Sequence, residues 1–460
     1  MAIDSALCAH ADRVLQLFKS GQKRITVSGP AGCGKTELIK YLRQQLSPDY
    51  RIHVMTFTNQ AALMLRQRGI EDAVTIHSTI YRPQPIEREE IRKVRAERSR
   101  VVKEGGSSQA IKDLNETLDR LIRPSFQTRG DSKLQYKDLC IIDEASMVSE
   151  AVGRDIESFG RPVLALGDPF QLGPVGGRPH FDLVNADVKL TKVYRQGPSS
   201  EILRFASLIR EGRRSEFKAN GREVHIRSAT QMNNDDVRAW MRKADQVICA
   251  TNDTRRRINR RLLRYLGFGE PQFPQGHKNE KLICLGTYPD LGLHNGSFVR
   301  LRSISFGKEA DRFFTAVVQR SDGRDGWHDC GRTRIWKGSF EHTHRGIHEK
   351  TAQARTRDDW VKAYGDGIEL GIWLDWAWAV TTHKAQGNEW DEILLVTESW
   401  PTDSEVRMRM HYTGVTRART RLRIIEDWGQ SKPPTSPAAS GPWPNLVSPG
   451  DRPPERVEAR

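Results

Sequence analysis

Residues 24–36, RITVSGPAGCGKT, decide the fold. Ile25 to Val27 form an apolar run of strand character, Gly29 to Thr36 spell G-x-x-x-x-G-K-T, and the amphipathic pattern from Glu37 onward predicts a helix. A strand running into a glycine-rich turn and then a helix is the setting in which this pattern binds phosphate. The glycines let backbone N–H groups curl around the anion, and the helix N-terminus adds its positive end. Lys35 is placed to bridge the β- and γ-phosphates and the Thr36 hydroxyl to ligate Mg2+. ATP and Mg2+ are therefore the expected cofactors, with Gly29, Gly32, Gly34, Lys35 and Thr36 as their cradle.

Outward from this loop, RITVSG, ELIKYLRQQL, RIHVMTFT and QAALMLRQRG alternate strand and helix character, which implies an α/β fold with a parallel sheet. Strand-like runs return at LCIIDEAS and VLALGDP, then again at QVICATN after the helical EILRFASLIREG, so the sheet is expected twice. Asp143 and Glu144 end the first of these runs, and are expected beside the P-loop strand. Asp143 would hold the metal through water and Glu144 would act as general base. Residues 87–122 are charged and helix-favouring around Gly105-Gly106-Ser107-Ser108, which reads as an inserted helical hairpin. Between Pro271 and about Ile372 short alternating strands and Gly-rich turns predict a small antiparallel β insertion. Residues 429–460 are rich in Pro and Ser and read as a disordered tail.

Lysine and arginine number 73 against 58 acids, a net charge of +15, and such an excess favours a polyanionic partner through counterion release. Ordinary solubility charge is the plainer alternative. No run approaches the ~18 apolar residues of a membrane span, and MAIDSALCAHADRV is not a basic-then-apolar leader. No membrane partner is expected. The six cysteines stand singly without a C-x-x-C pair, which fits a reducing cytosol rather than a disulfide framework.

Asp143-Glu144-Ala145-Ser146 followed by Gly167-Asp168-Pro169-Phe170-Gln171-Leu172-Gly173-Pro174-Val175 resembles motifs II and III of superfamily 1B DNA helicases, specifically the RecD-like and T4 phage Dda-like branch. Thr56 to Ala62 looks like motif Ia and Thr75-Ile76-His77-Ser78 like the element downstream of it. Leu190 to Gln196 looks like motif IV, Thr381 to Glu389 like motif V and Tyr412 to Ala418 like motif VI. The resemblance runs from about Ile25 to Ile425. It implies that Gln171 senses the γ-phosphate, that Arg195 and Arg417 act on it, and that Gly387 and Glu389 join Asp143 at the nucleotide. An arginine from a facing domain stabilises the transferred phosphoryl only when the cleft is closed. Single-strand contacts are implied for Phe57, Thr58, Asn59, Thr75, His77, Thr382, His383 and Lys384, with Phe57 and His77 as stacking candidates.

The expected architecture is two RecA-like P-loop domains with parallel sheets, a helical insertion in the first and an SH3-like β insertion in the second. Residues 1–195 form the first domain, with the insertion at 82–130. Residues 196–270 and 372–428 form the second, and residues 271–371 the SH3-like part. The resemblance implies an ATP hydrolase moving 5′ to 3′ on single-stranded DNA and unwinding duplex junctions. It also implies a monomer that works with replication or repair proteins in the cytosol of a bacterium or a phage-infected host. The residues alone show neither direction, nor DNA over RNA, nor pathway.

Several positions depart from the family or read two ways. The stretch Ser5 to His10 lacks the glutamine that reads adenine in relatives, and Gln16 is better read as a solvated helix residue, so selectivity for ATP over GTP stays open. The insertion has no aromatic between Arg82 and Arg123 to serve as a duplex-splitting tip. An ATP-dependent translocase or protein-displacing remodeller without strong unwinding is therefore the alternative. A clamp using ATP only as a switch is disfavoured by intact Lys35, Glu144, Gln171 and Arg417. His328, Cys330, His342, His344 and His348 match no zinc-finger spacing. Trp373, Trp376 and Trp378 read as packing residues, and the helix carrying Arg255, Arg256, Arg257, Arg260, Arg261 and Arg264 as phosphate-facing or simply solvated.

Overall fold

The computed structural model describes residues 4–428 except 84–87, 123–125, 175–176, 195–199, 220, 270, 272, 279, 308–312, 323–325, 342–370 and 400. The first sheet is built from β1 (Arg24–Ser28), β2 (Ile52–Thr56), β3 (Val74–Thr75), β6 (Leu139–Asp143), β7 (Val163–Gly167) and β8 (Val188–Lys189). Their order is β3-β2-β6-β7-β1-β8 and every pair is parallel. β6 and β7 are buried along their whole length, as strands covered on both faces must be. Alternation along β6 decides the packing. Ile141 points to the layer of α1 (Ser5–Lys19) and α2 (Lys35–Leu46), with Leu7, Val14, Leu38 and Leu42. Ile142 points to the opposite layer, which also holds Ile76, Val152 and Ile156.

Further helices of this half are α3 (Asn59–Gln67), α4 (Ile76–Ile80) and, as the sequence suggests, an inserted pair, α5 (Arg88–Lys103) and α6 (Ser108–Ile122). The two helices pack side by side, and the strands that flank them in the chain, β4 (Tyr81–Pro83) and β5 (Phe126–Thr128), pair as a two-stranded ribbon. α7 (Glu150–Glu157) follows β6.

α8 (Glu201–Arg210) leads into the second parallel sheet, made of β9 (Val224–Ser228), β10 (Gln246–Cys249), β16 (Ala379–Thr381), β17 (Trp390–Val396) and β18 (Ala418–Glu426) in the order β16-β10-β17-β18-β9. α9 (Asn234–Lys243), α10 (Asn252–Tyr265), α12 (Thr382–Ala385) and α13 (Ser404–Val415) accompany it, and α11 (Gly338–Glu341) lies in the insertion between α10 and β16. That insertion is an antiparallel sheet of β11 (Leu282–Cys284), β12 (Phe298–Ser305), β13 (Phe313–Ser321), β14 (Trp327–Trp336) and β15 (Leu374–Trp376), ordered β14-β13-β12-β11-β15. The α/β class with two parallel sheets and a β insertion is thus the one read from the sequence.

β15 pairs with β11, and the chain enters the parallel sheet only at β16. Asn259 of α10 clamps this crossing, donating to the carbonyls of Trp376 and Ala379 and accepting from Ala379 N–H. Trp376 is fully buried and stacks on Trp378 at 5.4 Å, and Trp373 lies 5.1 Å from Trp336, so all three tryptophans are packing residues. The basic helix is neither wholly solvated nor wholly phosphate-facing. Arg255 is 6% exposed and bonded at 2.7 Å to Asp375, itself 2% exposed, because burying either charge alone would be costly. All six cysteines are free thiols. Among the described residues no group of His, Cys, Asp and Glu could hold a metal, and His342, His344 and His348 lie outside those residues. Among the described residues no helix is long and apolar enough to cross a membrane.

Candidate nucleotide cleft and strand groove

β1 delivers the loop Gly29 to Thr36 to the start of α2, where Gly34 takes φ +89°, a conformation that disfavours any side chain. Lys35 Nζ donates to the carbonyls of Gly29 at 2.7 Å and Pro30 at 3.2 Å. Burial opposes its charge, but Cys33, Asp168, Glu144 and Asp143 around it raise its pKa, so it stays a cation. Asp143 ends β6, and Glu144 sits in the left-handed region at φ 56° with its N–H bonded to Asp143 Oδ1. Burial raises both carboxyl pKa values; Asp143 pushes Glu144 further up while Lys35 opposes both shifts.

The acid pair's strand does not lie beside the P-loop strand as expected, because β7 is between them. The consequence is chemical. Just past β7 stands Asp168, whose charge acts on both Lys35 and Glu144, a residue to which the sequence motifs assign no role. Its carboxylate is fully buried and accepts from Phe170 N–H at 3.0 Å and from Tyr412 Oη at 2.8 Å. The signal was present: Asp168 follows the apolar run VLALG as Asp143 ends LCIID.

From the second sheet, Arg417 enters this cleft buried to 3% exposure, its Nε donating to Thr413 O and its Nη2 to Thr416 Oγ1. Its charge acts on Glu144. The loop after β7 is gripped from the same side. Leu172 N–H donates to Thr413 Oγ1, Gln386 Nε2 to Leu172 O, and Arg409 Nη1 to Pro169 O. Gln171, Gln386 and Ser146 each keep a buried side-chain oxygen with no partner among the described residues. Orphaned acceptors of this kind are unusual in a folded interior and suit a cleft completed by a polar ligand. The oxygen donors Thr36 and Asp143 and the loop amides suit Mg2+ with a nucleotide phosphate. Arg195 lies outside the described residues.

Gly387 stands away from the P-loop. It takes φ +79°, and a Cβ there would lie 3.0 Å from Thr58 Oγ1 and 3.2 Å from Ala61 N, so motif V docks on the start of α3. Glu389 faces the nucleotide side and pairs at 3.3 Å with Arg68, a residue outside the motifs the sequence reading used.

The strand residues fall into two groups. Phe57 and His77 follow adjacent strands β2 and β3 and meet edge to face at 5.5 Å. Thr58 and Thr75 accept from Ala61 N–H and Ser78 N–H, so both hydroxyls start helices, and Asn59 opens α3. On the second sheet, Thr382 is buried and donates to Cys249 O. His383 and His77 are held below the ordinary histidine range by burial. Burial, with Arg255 nearby, pushes the Lys384 ammonium down to about 8.

An AAA domain family matches residues 10–231 and the UvrD-like helicase C-terminal domain family residues 376–425. No curated protein sequence matches the chain. Among solved structures, the Pif1 helicase from Candida albicans is 16% identical, with 92% of this chain and 94% of that chain covered at a TM-score of 0.47. Bacteroides Pif1 bound to single-stranded DNA is 18% identical, with 92% of each chain covered and a TM-score of 0.46. The Bacteroides enzyme with ADP-AlF3 and single-stranded DNA is 17% identical, covers 93% and 92%, and has a TM-score of 0.48. Both family matches lie on the motif residues described above, the AAA domain family over the P-loop, the acid pair and the loop after β7, and the UvrD-like helicase C-terminal domain family over the segments that carry Gln386 and Arg417.

Proposed function

We propose that the protein is an ATP-dependent DNA helicase that moves 5′ to 3′ on single-stranded DNA and couples hydrolysis to duplex unwinding. The observation that carries this is the grip of Thr413, Gln386, Arg409 and Tyr412 on the loop from Asp168 to Leu172. That loop touches the P-loop chemistry on one sheet and the strand motifs on the other, so opening or closing the cleft moves both. The division adopted is residues 1–195, residues 196–270 with 372–428, the β insertion 271–371, and the tail 429–460, which lies outside the described residues; β15 at 374–376 pairs with β11 of the insertion.

The amides from Gly29 to Thr36 and Lys35 bind the nucleotide phosphates, and Thr36 and Asp143 hold Mg2+, which when bound screens phosphate charge. Glu144 takes the proton of the attacking water. Gln171 senses the γ-phosphate, Arg417 joined by Arg195 meets the charge that develops, and Gly387 seats its segment on α3 so that Glu389 stands at the nucleotide side of the cleft edge. Phe57 and His77 stack on bases, each contact contributing about 1–3 kcal/mol, while Asn59, Thr58, Thr75, Thr382, His383 and Lys384 line the backbone path. The partners are single-stranded DNA, duplex junctions and replication or repair proteins, and the protein acts as a monomer.

ATP turnover with and without single-stranded DNA tests the coupling. Strong stimulation is expected, and equal rates would refute the motor reading. One observation favours a second reading: the insertion carries no aromatic from 83 to 123, which suits a translocase that displaces proteins rather than splits duplexes.

A further inference from the structure

Arg68 follows the last residue of α3. Its guanidinium reaches across the cleft in two directions at once. Nη1 donates to Thr36 Oγ1 at 3.4 Å, and Nη2 lies 3.3 Å from Glu389 Oε2 on the second-sheet side. Its positive field also reaches Asp143. One permanent cation thus contacts the hydroxyl and influences the carboxylate that are the metal ligands of the proposed site, while tying the first sheet to a carboxylate that follows α12. Guanidinium cannot shed its proton, so its charge leaves this position only by moving. Moving it is easy: Arg68 is 42% exposed, and an ion pair with one solvated partner is weak.

We propose that Arg68 is a displaceable placeholder cation. In the nucleotide-free cleft it bridges Thr36 to Glu389, and it competes with Mg2+ for the Thr36 and Asp143 side of the site. Arrival of the metal with nucleotide therefore expels Arg68 and releases the Glu389 tether, so metal loading and cleft rearrangement become one event. This rests on the reading of Thr36 and Asp143 as the metal ligands. The role differs from that of Arg417, which is buried and anchored to backbone and hydroxyl oxygens of its own half. The Arg68 guanidinium instead makes its hydrogen bonds to Thr36 on the ligand side and to Glu389 across the gap.

The test is a Mg2+ titration of fluorescent ADP binding to the full chain, with no turnover involved. For Arg68→Ala the Mg2+ concentration at half-saturation should fall about 3- to 10-fold, because the competitor is gone. Binding of the nucleotide without Mg2+ should stay within about twofold of wild type, since Arg68 holds no phosphate in this scheme. Thr36→Ala is the companion variant and should lose most of the Mg2+ dependence. If Thr36→Ala keeps that dependence, the metal-site reading fails and the proposal falls with it. If Thr36→Ala behaves as expected but Arg68→Ala leaves the half-saturation unchanged, the placeholder role alone is refuted. A rise in half-saturation, or weaker nucleotide binding without metal, also refutes it and makes Arg68 a phosphate ligand. Equal melting temperatures for wild type and Arg68→Ala establish that the comparison is between folded proteins.

Discussion

The phenol of Tyr412 on α13 donates a 2.8 Å hydrogen bond to the buried carboxylate of Asp168, which lies at the end of β7 beside Lys35. One bond therefore joins the helix of the second sheet to the reacting end of the first. Tyr412→Phe would leave a buried charged acceptor short of a donor, a loss of about 1–3 kcal/mol. The variant should keep basal ATP turnover within a few-fold but lose most of its stimulation by single-stranded DNA. Stimulation equal to wild type would show that this bond does not transmit the strand signal.

Glu144→Gln removes the base while keeping the shape of the site. It should bind Mg2+ and ATP and hold single strands tightly, with turnover reduced by orders of magnitude. Because burial and Asp143 raise the Glu144 pKa above the ordinary carboxylate value, the active, deprotonated form is lost as pH falls, starting at higher pH than for a solvated glutamate. Turnover of the wild type should therefore decline on the acid side well before pH 4.5, the ordinary value. Hydrolysis by Glu144→Gln within a few-fold of wild type would assign the base elsewhere.

Lys384 gives the opposite sign. With its pKa pushed down to about 8, it is charged below that pH and neutral above it. Affinity for single-stranded DNA should drop as pH rises through about 8 in the wild type and stay flatter in Lys384→Arg, which keeps its charge. Identical pH profiles for the two proteins would remove Lys384 from the strand path.

Replacing residues 87–123 by a short Gly-Ser linker should preserve DNA-stimulated ATP turnover and reduce unwinding. α5 and α6 lie between β4 and β5 in the chain, and that ribbon is a sheet separate from the parallel one that carries the P-loop. Undiminished unwinding would place the separating element elsewhere, and loss of ATPase would make the insertion part of the motor.

Local pattern made much of this legible. The P-loop, the acid pair after a buried strand, the helical hairpin and the antiparallel insertion all follow from residues close together in the chain. What escaped is long-range. Nothing in the run of residues says that β7 lies between β1 and β6, so Asp168 had no assigned role. Arg255 reads as one of several surface arginines until Asp375, far along the chain, is brought against it. Arg68 falls outside every motif and gains a role only when the second sheet supplies Glu389. The hydroxyls of Thr58 and Thr75 also accept from the amides that start α3 and α4, a capping role that stands beside their proposed place on the strand path.

Strand displacement on 5′-tailed, 3′-tailed and blunt duplexes tests the central claim most directly. The account predicts ATP- and Mg2+-dependent unwinding of the 5′-tailed substrate alone, and none by Lys35→Ala, which loses the phosphate contact but keeps the fold. Release of the 3′-tailed strand alone would reverse the direction. Displacement of no substrate, alongside brisk DNA-stimulated ATP turnover, would contradict the helicase and leave a translocase.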